Sequence, residues 1–179
     1  VGSEMCIRDS QNLPAILLEK EVENQPTESY FTKTDIVTGE PVEGAKLQIL
    51  DEEGTVVREW ITTKEEHLEY ALPAGNYILH EELPPLEDGY VSAEDVSFEV
   101  KEDGTITKVE MKDDFSKVDI SKTDITGDTE LVGVKLQVLN SKEEVLDEWI
   151  SDGTEHPIEY LPVGEELTLR ETQTISGYT

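Results

Sequence analysis

The chain contains the same sentence twice. FTKTDIVTGEPVEGAKLQIL, from Phe31, is answered by ISKTDITGDTELVGVKLQVL, from Ile120. Lys33 and Lys122, Gly44 and Gly133, Trp60 and Trp149, and His67 and His156 are each 89 residues apart. Glu81 and Glu171 are 90 apart and Tyr90 and Tyr178 are 88 apart, so the register slips by a single residue, in loops. Two copies of one module follow from this spacing. The junction KVEMKDDFSKVDISKTD before the second copy resembles KEVENQPTESYFTKTD before the first, with Asn24 standing over Asp113. The expected layout is therefore a last strand of a preceding module at 11–28, a complete module at 29–115 and a truncated one at 116–179. Val1–Ser10 (VGSEMCIRDS) has neither periodicity nor the plan of a signal peptide, and reads as a sequence artefact or a disordered start.

Within each copy the hydrophobic period is two. Ala45, Leu47 and Ile49 alternate with Lys46, Gln48 and Leu50; Tyr77, Leu79 and Glu81 share a face, as do Val96, Phe98 and Val100. Turn signals separate the runs at Asp51–Gly54, Leu72–Asn76, Glu87–Tyr90 and Lys101–Gly104. This predicts an all-β sandwich of roughly 80–90 residues per module, with at most one helical turn at Ser92–Asp95. Fourteen Lys+Arg against 42 Asp+Glu leave a net charge of −28, which excludes a general nucleic-acid binder. No apolar run approaches the ~18 residues of a membrane-spanning helix, Leu13–Leu18 being the longest. One cysteine, Cys6, cannot form a disulfide within the chain, so covalent reinforcement has to come from other chemistry.

Three charged side chains break the inside/outside rule. Lys33 shares its face with Phe31, Glu81 with Tyr77 and Leu79, and Asp113 with Val109 and Met111. Lys122 and Glu171 repeat the first two, behind Val118 and Ile120 and behind Leu167 and Leu169. Unpaired buried charges cost several kcal/mol, so such groups neutralise, pair or react. One reading is a buried salt-bridge network or a strand end where alternation has lapsed. The other is reactive: burial disfavours the charged forms of amines and acids alike, giving an amine nucleophile beside a carboxylic acid. Glu81 then polarises the Asp113 carbonyl and shuttles protons while Lys33 attacks, forming a side-chain amide once and without turnover.

The pattern K-T-D-x-x-T-G-x-x-x-x-G-A-x-L over Lys33–Leu47, with W-x-T at Trp60–Thr62, Y-x-L-x-E at Tyr77–Glu81 and P-x-x-x-G-Y at Pro85–Tyr90, resembles the CnaB/SpaA-like modules of Gram-positive surface proteins and pilins. The resemblance covers about Ile16 to Thr179. It implies tandem Greek-key-type, prealbumin-like sandwiches with an intramolecular isopeptide bond between first and last strands. Lys33 matches the nucleophile, Glu81 the promoting acid and Asp113 the acceptor, where many such modules carry Asn. Asp114, next to it, is the other acceptor candidate, although strand parity favours Asp113. Lys122 with Glu171, and Asn24, are half-sites whose partners lie outside the sequence. The implied role is a non-enzymatic, extracellular, cell-wall-anchored stalk of an adhesin or pilin. Its partners are neighbouring modules, with no membrane contact in this stretch and no cofactor or metal. The alternative is a ligand-binding adhesin module gripping a host protein or glycan.

The remaining motifs are weaker. DEEG and KEDG lack EF-hand spacing and read as hairpin turns. Scattered carboxylates do not single out a glycosidase pair. His67 and His156 read as surface residues, Trp60 and Trp149 as sandwich packing before sugar platforms, and LPAGN and LPVGE as turns, not sorting signals.

Overall fold

Alternating burial along Glu28–Asp35 shows how the strands form. Ser29, Phe31, Lys33 and Asp35 point inward while Tyr30, Thr32 and Thr34 point out. The computed structural model describes residues 5–6, 17–18, 25–127 and 129–177. Two-residue strands β1 (Met5–Cys6) and β2 (Leu17–Leu18) pair antiparallel. Asn24 and most of Gln11–Glu28 lie outside the described residues.

In the first repeat, β3 (Glu28–Asp35), β6 (His67–Tyr70) and β9 (Thr107–Asp113) form one sheet, in the order β6-β3-β9. β6 runs antiparallel to β3, and β9 runs parallel to it. The second sheet, β5-β4-β7-β8, is antiparallel throughout and uses Val56–Ile61, Lys46–Leu50, Gly75–Leu83 and Val96–Val100. Phe31, Val109 and Met111 from the first sheet meet Leu47, Ile49, Tyr77, Leu79 and Val100 from the second, closing one apolar core. The acidic turn after β4 is held by Asp51, whose Oδ1 accepts the Glu53 and Thr55 N–H groups.

The second repeat has the same parts with fewer strands described. β10 (Lys117–Ile120) pairs with β13 (His156–Glu159), while β12-β11-β14 form the other sheet from Val145–Asp152, Val132–Leu139 and Thr168–Gln173. β10 stops at Ile120, although its equivalent β3 continues through Lys33 to Asp35. No strand equivalent to β9 lies beside it among the described residues, so the lysine end of β10 has no parallel ladder to join.

The expected turn at Ser92–Asp95 is not helical. A single 3-10 turn forms earlier, at Leu86–Asp88, between Pro85 and Gly89. The proline presets the turn, and Gly89 closes it in the left-handed region at φ 82°. Ser92 and Ala93 belong to no helix or strand, and the Ala93 N–H donates to Glu81.

Candidate functional site

Two sheets deliver the three wrong-face side chains to one place. β3 and β9 are neighbours with Lys33 opposite Met111 and Asp35 opposite Asp113. Lys33 on β3 and Asp113 at the end of β9 therefore lie on one inner face, and Glu81 reaches them from β7 across the core. Lys33, Glu81 and Asp113 are 5%, 4% and 0% exposed. Lys33 Nζ is 2.9 Å from Glu81 Oε1 and also contacts Asp113 Oδ1. Lys33 thus bridges the two carboxyls, and all three side chains are closed off from solvent.

Glu81 is steered from behind. Its other oxygen, Oε2, accepts the Ala93 N–H at 2.7 Å, which turns Oε1 toward Lys33. Burial pushes the Asp113 carboxyl from 3.8 up to about 6. The Lys33 ammonium opposes that rise, and the Glu81 and Asp35 carboxylates add to it. Asp114 faces the other way: Lys117 Nζ lies 2.7 Å from its Oδ1, which holds its carboxyl below the usual range. Only Asp113 of the two meets Lys33.

In the second repeat Lys122 Nζ and Glu171 Oε2 are 3.2 Å apart, so this pair also meets. Its side chains are 31% and 33% exposed, in contrast to the sealed first site. Lys122 keeps Glu171 below the usual carboxylate range, the signature of a solvated ion pair.

Parity of β3 marks one further residue that the sequence reading passed over. Asp35 is 2% exposed, two positions beyond Lys33 and opposite Asp113. Its Oδ1 accepts the Val37 and Thr38 N–H groups at 2.8 Å each. Its Oδ2 accepts two phenol hydroxyls, Tyr90 at 3.2 Å and Tyr160, from the second repeat, at 2.8 Å.

The histidines correct the expectation of surface placement. His67 stacks on Trp60 at 4.0 Å and 7°, His156 stacks on Trp149 at 4.2 Å and 11°, and both are half-buried. Each Nε2 lies 2.8 Å from a carboxylate, Glu69 or Asp147. Trp60 in turn packs on Phe31, at 5.3 Å.

A family model for the SpaA prealbumin-like fold domain matches residues 28–114 and again 116–179. Among solved structures, the Bacillus anthracis TIE protein is 26% identical, with a TM-score of 0.57 over 94% of this chain and 34% of its own. A streptococcal ancillary pilin is 20% identical (TM-score 0.45, 97% of this chain and 61% of its own). BcpA, the major pilin subunit of Bacillus cereus, is 25% identical (TM-score 0.46, 55% and 31%). The chain thus spans about a third of the first of these structures and about three fifths of the second. No curated protein matches it.

Proposed function

The chain belongs to the family of SpaA prealbumin-like fold domains, and from that premise we propose that it is a structural stalk segment of an extracellular, cell-wall-anchored bacterial surface protein, stapled in its first repeat by an amide between Lys33 and Asp113. Residues 29–115 are the stapled module and 116–179 belong to the next. The observation that carries this reading is the sealed contact of Lys33 Nζ with Asp113 and Glu81.

The chemistry needs only what the site holds. Lys33 passes a proton to the carboxyl pair, and the free amine attacks Cγ of Asp113. Glu81 relays the proton to the departing hydroxyl, and water leaves as the C–N bond closes. Nothing regenerates the amine, so the step occurs once per module. Water exclusion protects the product from hydrolysis and strengthens every charge interaction on the way.

Such a bond suits a load-bearing part. β3 opens the module and β9 closes it, and the two are parallel neighbours. A pull on the two ends of the module therefore shears their ladder, and an amide between them takes the load from the hydrogen bonds. Closing the roughly 80-residue loop also stabilises by about 4–5 kcal/mol in the chain-entropy model.

Intact mass is the direct test. The folded chain is expected one water lighter than its sequence mass, and Lys33→Ala and Glu81→Ala at the full mass. A folded wild-type chain at full mass leaves the site a salt bridge and ends the proposal.

A further inference from the structure

Asp35 is a buried charge that the amide chemistry does not consume, and its partners come from both repeats. On its own strand, Val37 and Thr38 N–H groups fix Oδ1. Across the sheet, the Ile36 N–H donates to the Asp113 carbonyl at 2.9 Å, so the turn that Asp35 caps is tied to the acceptor residue itself. Tyr90 and Tyr160 then share Oδ2. Burial opposes ionisation of Asp35, but the hydrogen bonds it accepts outweigh this and hold its carboxyl below the usual range.

The same joint reaches Glu81 by a second route. Tyr90 bridges to Phe115, the Val91 N–H donates to the Asp114 carbonyl at 3.0 Å, and the Ser116 N–H donates to the Gly89 carbonyl at 2.8 Å. These bonds pin residues 89–91 along the chain just beyond Asp113, and two residues later Ala93 donates to Glu81. The second repeat braces this segment from outside. Its Val163 N–H donates to the Leu86 carbonyl at 2.9 Å, and the Tyr160 ring stacks on Phe115 at 4.0 Å.

We propose that Asp35 is a positioning residue for the Lys33–Asp113 pair, and that Tyr160, reaching it from the second repeat, makes closure of the staple in one repeat depend on the seating of the next. The inference rests on the cross-link reading above and adds an order to it: a module is tied once its successor has folded against it. An exported chain that folds from its leading end is then tied only where a following module backs it.

The groups facing Asp113 are Lys33 and Asp35 from β3, Glu81 from β7 and Tyr90 from the following loop; Tyr160 faces Asp35 in turn, and Asp114, turned to Lys117, feels the Asp35 charge. With Asp113 protonated, Glu81 still takes the Lys33 proton across their 2.9 Å contact, and the free amine faces a carboxylic acid. The rate of closure should therefore rise along an acid limb as pH drops through about 6, where Asp113 titrates. Removing the Asp35 charge lets Asp113 release its proton at lower pH, so the acid limb moves down.

The test uses the whole chain, synthesised and kept in denaturant, then refolded by dilution at fixed pH while intact mass is sampled over time. Tyr160→Phe keeps the ring over Phe115 and removes only the hydroxyl. It is expected to close roughly tenfold more slowly than wild type, through misplacement of the reacting groups. Asp35→Asn keeps an acceptor for Val37 and Thr38, and its acid limb is expected at lower pH, a shift that a purely structural defect does not produce. Wild-type rates in Tyr160→Phe together with an unmoved limb in Asp35→Asn overturn the inference while leaving the cross-link standing. A wild-type chain that never loses water overturns the cross-link reading and this inference with it.

Discussion

A carboxyl wholly shielded from water, as Asp113 is, must keep its proton, find a cation or cease to be a carboxyl. In a Glu81→Gln chain the relay is gone and Asp113 stays an acid, so its titration becomes readable. With Glu81 in place its folded value is about 6 against the ordinary 3.8, and burial, the leading cause, keeps it raised when the Glu81 charge is gone. Its contribution to stability is therefore full below about 3.8 and is lost as pH rises through the raised folded value, amounting to less than about 3 kcal/mol. Urea unfolding of Glu81→Gln minus that of the Glu81→Gln/Asp113→Asn double variant isolates this residue from the other carboxylates. The difference should decline between pH 4 and pH 7, and a flat one would show that the site is wetter than its burial indicates. At this scale the sequence is informative because a charge on an apolar face is conspicuous: parity alone selects Lys33, Glu81 and Asp113. Asp35 obeys the same rule two residues further on and was legible by the same count. Its hydroxyl partners were not, because Tyr160 becomes a neighbour only when two repeats pack.

Strands are where local sequence and surroundings part company. SKTDITG and TKTDIVTG are close copies, yet β3 carries its pairing through lysine to aspartate, and β10 halts before the lysine. Strand length here is set by whether a parallel neighbour lies alongside, which no window of residues encodes. Alternation, by contrast, places the inner faces of β3, β4, β7 and β9 correctly, since one buried face fixes the register, whereas β14 is exposed along its whole length and leaves Leu169 in solvent. At the ends of the central strands the two repeats solve one problem with different residues. The buried Ala45 N–H donates to Thr62 Oγ1 at 3.0 Å, and the equivalent Val134 N–H donates to Ser151 Oγ at 3.0 Å. Thr62→Val keeps the shape and orphans that buried donor, so it should cost about 1–3 kcal/mol in urea unfolding. Thr62→Ser, which copies the second repeat, should cost less than about 1 kcal/mol. Equal losses in both variants would assign the effect to packing and not to the hydrogen bond.

For the molecule as a whole, a net charge of −28 drives tandem repeats apart, so whatever seats them must act at short range. The joint is built for that. Tyr160 sits at φ 59° where the first repeat has Ala71 at φ 57°, an unusual backbone that both copies keep while only one of them carries a ring to insert. Against it lies Gly89, at φ 82°, where an added Cβ falls within 2.5 Å of the Tyr160 Cα and carbonyl oxygen. Gly89→Ala therefore meets both backbone strain and a collision with the neighbouring repeat, and should unseat the joint. The tyrosines report on it. Burial, reinforced by the Asp35 carboxylate, pushes Tyr90 and Tyr160 up to about 12. Their contribution to holding the repeats together is full below pH 10 and is lost as pH rises toward 12. These two should ionise only as pH nears 12 in an ultraviolet titration of the wild-type chain, with small-angle scattering showing the repeats separating as they do so. In Gly89→Ala, Tyr160 should titrate near its ordinary value of 10, and the particle should be extended already at neutral pH. A Gly89→Ala chain with unchanged dimensions and a late-titrating Tyr160 would mean that the two repeats are held elsewhere, and that the Asp35 hub is a consequence of their packing and not its cause.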